Sequence, residues 1–173
     1  MKKMSTRTLV EAGVMIALAQ ILSYIKLYEL PNGGAITAGS MIPILFFAIR
    51  WGVKPGLLAG TVYGVLQFLL GGSYVIHPLS ILLDYVLAFG LLGLAGLFSK
   101  SLWGVYLGVF TGIFGRFVSS VLSGVILFAS YAPPGMNPWI YSIGYNGSYL
   151  GVEFITSCII ATLLYKKLKA IPT

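Results

Sequence analysis

The sequence predicts an all-α integral membrane protein with six transmembrane helices in one bundle. Of its 173 residues, 58% are hydrophobic and only 9% are charged, and the mean hydropathy is +0.94. A soluble domain carries about 25% charged residues, so most of the exterior of this chain is expected to face lipid. Its apolar segments are long and uninterrupted, whereas the strands of an outer-membrane barrel alternate over about 10 residues.

Six apolar segments are candidates for membrane spans, and together they predict a single transmembrane domain over residues 1–173. About 20 apolar residues are needed to cross a bilayer. The second segment is therefore short, and the last two are long enough to tilt or to protrude. The predicted spans are about 8–24, 38–51, 55–70, 78–99, 102–128 and 138–168.

Positive charges alternate between the loops. With six spans, the loops on one face carry only Lys26, which is offset by Glu29. The termini and the 2–3 and 4–5 loops carry nine cations: Lys2, Lys3, Arg7, Arg50, Lys54, Lys100, Lys166, Lys167 and Lys169. Cationic loops stay cytoplasmic, so both termini are expected inside the cell. Topology thus explains the net charge of +7, and no nucleic-acid partner is expected.

Three charged residues lie well inside the apolar segments, away from the cytoplasmic ends where a charge can reach water, and each costs roughly 2.5–3.5 kcal/mol on insertion scales. They are Asp84, Arg116 and Glu153. Asp84 lies roughly 9 Å below the outer end of the fourth span, and no Lys or Arg is expected at that depth. It is either a structural carboxylate or, as we favour, a counter-ion for a cationic ligand. Arg116 and Glu153 differ in depth by only about 4–5 Å, which predicts an ion pair between them.

The outer ends of the last two spans carry aromatic and amide side chains. Tyr141, Tyr145 and Asn146 share part of one helix face, and a buried amide needs partners. Gly124 and Phe128 are four residues apart, which favours close approach of a flat ligand over an aromatic ring. The alternatives are an aromatic belt at the interface and, for Gly124, helix packing.

The sequence offers little for catalysis or for a bound cofactor. His77 and Ser80 are three residues apart, and a hydrolase dyad is an alternative without an evident third group. One His and one Cys cannot form a metal-ligand cluster, and no phosphate-binding glycine loop follows a strand. We therefore expect no enzyme activity, no cofactor and no ATP hydrolysis by this chain.

Several motifs resemble one family of membrane proteins. They are Gly33-Gly34 to Met41-Ile-Pro-Ile44, His77-Pro-Leu-Ser-Ile-Leu-Leu-Asp-Tyr85, Ser123-Gly124, and Tyr131-Ala-Pro-Pro-Gly with Trp139-Ile-Tyr-Ser-Ile-Gly-Tyr-Asn146. Over nearly the whole chain they are similar to the thiamine-specific S-component of energy-coupling-factor (ECF) vitamin transporters. The resemblance implies a six-helix fold in a bacterial plasma membrane and an outward-facing thiamine site. It also implies three partner subunits, an ECF transmembrane coupling protein and two ATPases.

The resemblance also implies which residues contact thiamine. Carried over by position, the contacts fall on Tyr74, Asp84, Tyr85, Gly124, Phe128, Tyr141 and Asn146. Tyr145 shares the face of Tyr141, and Ser120 stands where some members carry a histidine. Members often carry Glu in place of Asp84 and Trp in place of Phe128. The chemistry of the ligand agrees, because aromatic faces attract a fixed cation such as thiazolium by roughly 0.5–2 kcal/mol each.

Two further hypotheses concern partners and rival functions. Gly13 and Ala17 form a small stripe on the first span, which favours a docking surface for the coupling protein; packing within the bundle is the alternative. An S-component for another vitamin is a rival function, although a neutral or anionic vitamin would leave Asp84 without a partner. A structural protein with no ligand is the other rival.

Overall fold

The computed structural model describes residues 4–71, 77–98 and 101–170, with only the helical backbone described for residues 166–170. Six helices make up this part of the chain, together with one β-hairpin between the first two. The helices are α1 (Thr6–Tyr24), α2 (Ile42–Trp51), α3 (Val53–Leu70), α4 (Pro78–Leu97), α5 (Leu102–Leu127) and α6 (Pro138–Ala170). The hairpin strands are β1 (Lys26–Glu29) and β2 (Ala35–Thr37).

The predicted fold class is confirmed, because five of the six helices are long and apolar enough to cross a membrane. The exception is α2, whose 10 residues extend about 15 Å, roughly half the hydrocarbon core of a bilayer. All residues from Ile42 to Ile49 are buried, so α2 lies inside the bundle and the longer helices surround it. A helix that is apolar on every side is compatible with such a position.

Large apolar side chains cover the outside of the bundle. Leu9, Val10 and Leu163 are among many that are more than half exposed, as expected where lipid is the solvent. Exposed tryptophans lie near both ends, Trp103 in the first turn of α5 and Trp139 in the first turn of α6. Aromatic residues prefer the two membrane interfaces, so this distribution agrees with a bundle that spans a bilayer.

Glycine allows α3 and α4 to pack with their backbones in contact. Gly56, Gly60 and Gly64 recur every four residues on one face of α3. A Cβ at Gly60 would lie 2.3 Å from the Phe89 carbonyl oxygen, and one at Gly64 would lie 2.3 Å from the Tyr85 carbonyl oxygen. Such small-residue stripes are typical of close helix pairs in membranes. The contact fixes the position of α4 next to α3 along the stretch that carries Asp84.

The hairpin lies at the end of the bundle where α1 and α3 end and α4 and α6 begin. Its strands pair antiparallel, with Lys26 opposite Thr37 and Glu29 opposite Ala35. Asn32 and Gly33 make the turn with φ values of +69° and +95°, a conformation that Asn and Gly tolerate best. We call this end the hairpin end, and the opposite end, where Arg50 and Lys54 lie, the basic end.

Candidate ligand-binding site

A cavity of about 530 Å³ opens at the hairpin end of the bundle. The hairpin forms one wall, and α3, α4, α5 and α6 form the others. The lining is mixed, with aromatic rings, small hydroxyl and amide side chains, and a few charged groups. It includes Ser23, Lys26, Gly34, Thr37, Gln67, Ser80, Asp84, Tyr85, Phe89, Arg116, Tyr149 and Glu153. This cavity is large enough for a small organic ligand.

Asp84 projects from α4 into the cavity, and two serines hold it. Its Oδ2 accepts hydrogen bonds from the Ser80 hydroxyl at 2.8 Å and from the Ser123 hydroxyl at 2.6 Å. Ser80 is one turn earlier on α4, whereas Ser123 belongs to α5. Among the described residues, no Lys or Arg nitrogen lies within 4.0 Å of the carboxylate. The carboxylate is thus fixed in place without an ion-pair partner.

The helix around Asp84 is irregular. From Ile81 to Leu87, α4 widens to π-type hydrogen bonding, a rare feature that occurs frequently at functional sites. Tyr85, next to Asp84, also lines the cavity, and its ring packs edge-to-face with Phe68 at 5.5 Å between centroids. No sequence pattern indicated this widening, which alters the direction in which the side chains of α4 project.

A row of side chains on α6 forms the wall opposite α4. Tyr141, Tyr145, Tyr149 and Glu153 are spaced by four residues and all line the cavity. The rings of Tyr141 and Tyr145 are stacked with centroids 6.0 Å apart, and those of Tyr145 and Tyr149 meet edge-to-face at the same distance. The row presents aromatic surface that can hold a flat or cationic ligand.

Asn146 is buried between α5 and α6. Its Nδ2 donates to the Ser142 carbonyl at 3.0 Å and more weakly to the Ser120 carbonyl at 3.5 Å, while its Oδ1 accepts from the Tyr149 hydroxyl at 2.9 Å. The amide therefore has protein partners and also lines the cavity. Through this last hydrogen bond, Asn146 holds Tyr149 in its place in the aromatic row.

Gly124 and Phe128 lie near the end of α5 at the mouth of the cavity. A Cβ at Gly124 would lie 2.2 Å from the Ser142 hydroxyl, so the absent side chain is needed for the contact between α5 and α6. This contact therefore supports helix packing as a role of Gly124, the alternative considered for this residue. The Phe128 ring lies 5.4 Å from that of Tyr131, and both rings line the cavity.

The predicted ion pair between Arg116 and Glu153 is wrong. Among the described residues, the salt bridges are Lys26–Glu29 and Arg50–Glu11. The Arg116 guanidinium lies over the Phe89 ring, 4.1 Å from its centroid. Glu153 accepts hydrogen bonds from Thr37 of the hairpin. Both residues line the cavity, but their helices direct them to different neighbours. Arg116 lines the cavity that holds Asp84, so the expectation of no cation at that depth is also wrong.

The structure brings together eight of the nine residues predicted for the ligand site. Tyr74 lies outside the described residues. The other eight all line the one cavity: Asp84, Tyr85, Ser120, Gly124, Phe128, Tyr141, Tyr145 and Asn146. Sequence reasoning missed Tyr149, although it continues the four-residue spacing from Tyr141 and Tyr145. It also missed Thr37, because the sequence does not show which residue of the first outer loop faces the cavity.

Two other predicted features have clear positions. Gly13 and Ala17 lie on the exposed face of α1, and a Cβ at Gly13 would meet nothing within 4 Å. They are therefore available to a partner and do not pack within the bundle.

His77 Nδ1 accepts a hydrogen bond from the Leu79 amide, and the Ser80 hydroxyl donates to Asp84. The hydrolase dyad considered for His77 and Ser80 is not formed.

The contact at Gly124 leads to a stability prediction. Replacing Gly124 with Ala is expected to destabilise the protein by about 1–3 kcal/mol, because the added methyl group overpacks the contact with Ser142. Thermal melting of detergent-purified protein measures the effect. Gly144→Ala is the matched control, since a Cβ at that position of α6 meets nothing within 4 Å. Equal melting temperatures for the two variants would contradict the packing role of Gly124.

Comparisons with known proteins agree with this arrangement. A family model described as Thiamine transporter protein (Thia_YuaJ) matches residues 9–172. The thiamine transporter ThiT of Bacillus subtilis is 36% identical over 172 residues, which cover 91% of this chain and 89% of that protein. ThiT of Lacticaseibacillus paracasei is 33% identical over 177 residues, covering 90% and 86% respectively. These relatives are named as transporters.

A solved structure has the same fold. The structure of ThiT from Listeria monocytogenes superposes with a TM-score of 0.84 at 28% identity, and the match covers 92% of this chain and 93% of that chain. The sequence similarity, the shared fold and the match to the family model over nearly the whole chain point to one family. The chain belongs to the thiamine transporter protein (Thia_YuaJ) family.

Proposed function

We propose that this protein is the substrate-binding membrane subunit of an ECF transporter. It captures thiamine from outside the cell and delivers it through an ATP-driven complex. It lies in the bacterial plasma membrane with both termini in the cytoplasm. The observation that carries the proposal is Asp84, a carboxylate without an ion-pair partner among the described residues, held by two serines in an aromatic cavity.

The groups of thiamine match the lining of this cavity. Its thiazolium ring carries a fixed positive charge, which a fixed carboxylate neutralises at short range. Its aminopyrimidine is flat and has hydrogen-bonding edges, which suit the stacked rings of Tyr141 and Tyr145 and the nearby amide of Asn146. A cavity of about 530 Å³ falls in the range of small-ligand sites. A neutral vitamin would leave Asp84 without an ion-pair partner within 4.0 Å among the described residues, which argues against the rival vitamins.

The need for partner subunits is inferred from the lack of an ATP-binding motif in the sequence. No phosphate-binding loop precedes a helix in the chain, so transport against a gradient requires an external motor. The resemblance described above supplies one, a transmembrane coupling protein with two ATPases. Reconstituting the four proteins in vesicles tests this assignment, with thiamine outside and ATP available to the ATPases. We expect uptake of labelled thiamine that stops when either this protein or ATP is omitted. ATP-independent uptake by the protein alone would contradict the proposal.

Membrane orientation gives a further prediction. In a background with Cys158 replaced by Ala, a cysteine at Met136 should react with an impermeant thiol reagent added to intact cells. A cysteine at Lys54 should react only after the cells are opened. Met136 is exposed near the hairpin end and Lys54 is exposed at the basic end, and cationic ends remain in the cytoplasm. The reverse labelling pattern would contradict the orientation.

A further inference from the structure

We propose that Glu153 is a positioning residue that holds the hairpin wall of the cavity and thereby sets how long thiamine is retained. The inference rests on the function proposed above. Glu153 is one of three charged residues that lie well inside the predicted spans, away from their ends, and neither the ion pair expected for it nor any contact with Asp84 accounts for its presence in α6.

Glu153 accepts hydrogen bonds directly from the base of the hairpin. Its Oε1 accepts a hydrogen bond from the backbone amide of Thr37 at 2.7 Å and another from the Thr37 hydroxyl at 2.7 Å. Thr37 is the last residue of β2, and its Oγ1 also accepts from the Ser40 amide at 3.1 Å. Glu153 therefore fixes the point where the hairpin ends and the chain enters α2.

A second attachment lies eight residues earlier on the same face of α6. The Tyr145 hydroxyl accepts from the Gly34 amide at 2.8 Å and donates to the Pro31 carbonyl, both in the hairpin turn. Eight residues correspond to about 12 Å along a helix. The hairpin is thus fastened to α6 at its turn by Tyr145 and at its base by Glu153. Ala35, between these points, and Gly34, at the first of them, line the cavity.

The environment of Glu153 makes this contact strong. The residue is only 3% exposed, and hydrogen bonds to a charged acceptor contribute about twice as much as neutral ones. Without the carboxylate, the backbone amide of the half-buried Thr37 would be left without its acceptor. The wall would then separate from α6 at its base, and ligand release would require less rearrangement.

One other role for Glu153 can be distinguished. Its Oε2 is buried without a hydrogen-bond partner among the described residues, and the residue lines the cavity. A direct counter-ion for thiamine would need the negative charge of the carboxylate. A positioning residue needs only an acceptor at Oε1. Glu153→Gln removes the charge and keeps a carbonyl acceptor, so it separates the two roles.

The experiment compares Glu153→Leu, Glu153→Gln and a control in the detergent-purified protein. We expect Glu153→Leu to accelerate thiamine dissociation by about tenfold with little change in the association rate, and Glu153→Gln to stay within about threefold of the parent. The control is Ser157→Ala, one turn further along α6, whose buried hydroxyl has no partner among the described residues. It should not alter release.

A second measurement does not depend on thiamine. Exchange of the Thr37 amide proton with solvent, followed by NMR in the ligand-free protein, should accelerate in Glu153→Leu and not in Glu153→Gln. If the parent binds no thiamine, the proposed function fails while this exchange still tests the anchoring. An unchanged Thr37 exchange rate or unchanged thiamine release in Glu153→Leu would overturn the inference. Equal loss of thiamine binding in the Gln and Leu variants would also overturn it, in favour of a counter-ion.

Thr37→Val tests the same contact if Glu153→Leu does not fold. It removes the hydroxyl donor to Glu153 and keeps the backbone amide donor. We expect thiamine dissociation to accelerate by about threefold, less than in Glu153→Leu because one of the two hydrogen bonds remains. Unchanged release in Thr37→Val would overturn the proposal.

Discussion

Replacing Asp84 with Asn is expected to weaken thiamine binding by about 10²–10³-fold. The substitution keeps the shape of the side chain and its contacts with Ser80 and Ser123, and it removes only the charge. Breaking one half of a buried charge pair costs about 3–5 kcal/mol, although the open cavity reduces this value because water screens part of the interaction. Equilibrium titration of the purified variant with thiamine measures the loss.

The control for Asp84 is a carboxylate at the same end of the bundle and outside the cavity lining. Glu29 is exposed in β1, where it pairs with Lys26 at 2.8 Å. Glu29→Gln should bind thiamine within about twofold of the parent, since exposed pairs contribute little. If Asp84→Asn and Glu29→Gln bind thiamine equally well, Asp84 is not the counter-ion of the ligand.

Placing Trp at Ala17 is expected to abolish ATP-driven uptake and to leave thiamine binding intact. Ala17 lies with Gly13 on the exposed face of α1, and small residues allow two helices to approach closely in lipid. A Trp side chain would keep the coupling protein away without touching the cavity. Uptake in vesicles containing the partner module and binding by the solitary protein are measured on the same preparation.

The matched control adds the same side chain to another lipid-facing helix. Ile155 of α6 is 59% exposed and does not line the cavity, so Ile155→Trp should change neither binding nor uptake. The docking assignment of Gly13 and Ala17 fails if Ala17→Trp loses binding and uptake together. It also fails if this variant loses neither.

The fold could be predicted from the sequence largely because lipid imposes a simple rule. A segment in a membrane must satisfy its backbone hydrogen bonds internally, so long apolar runs become helices, and six such runs become six helices. What the runs do not reveal is which helix is surrounded by the others. The segment from Ile42 to Trp51 is as apolar as its neighbours, yet it is short and buried at the centre of the bundle.

The residues that form the site could be predicted from the sequence better than their arrangement in space. Asp84 and Asn146 were identifiable because buried polar groups are costly and need partners. The pairing of Arg116 with Glu153 failed for a specific reason. Depth follows from counting residues at about 1.5 Å each, whereas direction depends on helix rotation of about 100° per residue. A small error in the rotation of two helices redirects a side chain to another neighbour.

The hairpin was the least predictable part of the site. Pro31 to Gly34 indicated a tight turn that can pack over a ligand, but the sequence does not show where this turn contacts the bundle. The positions of its polar contacts depend on Tyr145 and Glu153, more than 100 residues away. Contacts of this separation leave no periodic signal in the local sequence. The spacing of Tyr141, Tyr145, Tyr149 and Glu153 on α6 is the nearest clue to them.

The most direct test of the central claim is a calorimetric titration of the detergent-purified protein with thiamine and with a neutral analogue whose thiazolium ring has been reduced. The proposed counter-ion role of Asp84 predicts saturable binding of one thiamine per chain and binding of the neutral analogue that is weaker by about 10²-fold or more. Absence of saturable thiamine binding, or equal affinity for thiamine and the neutral analogue, would contradict it.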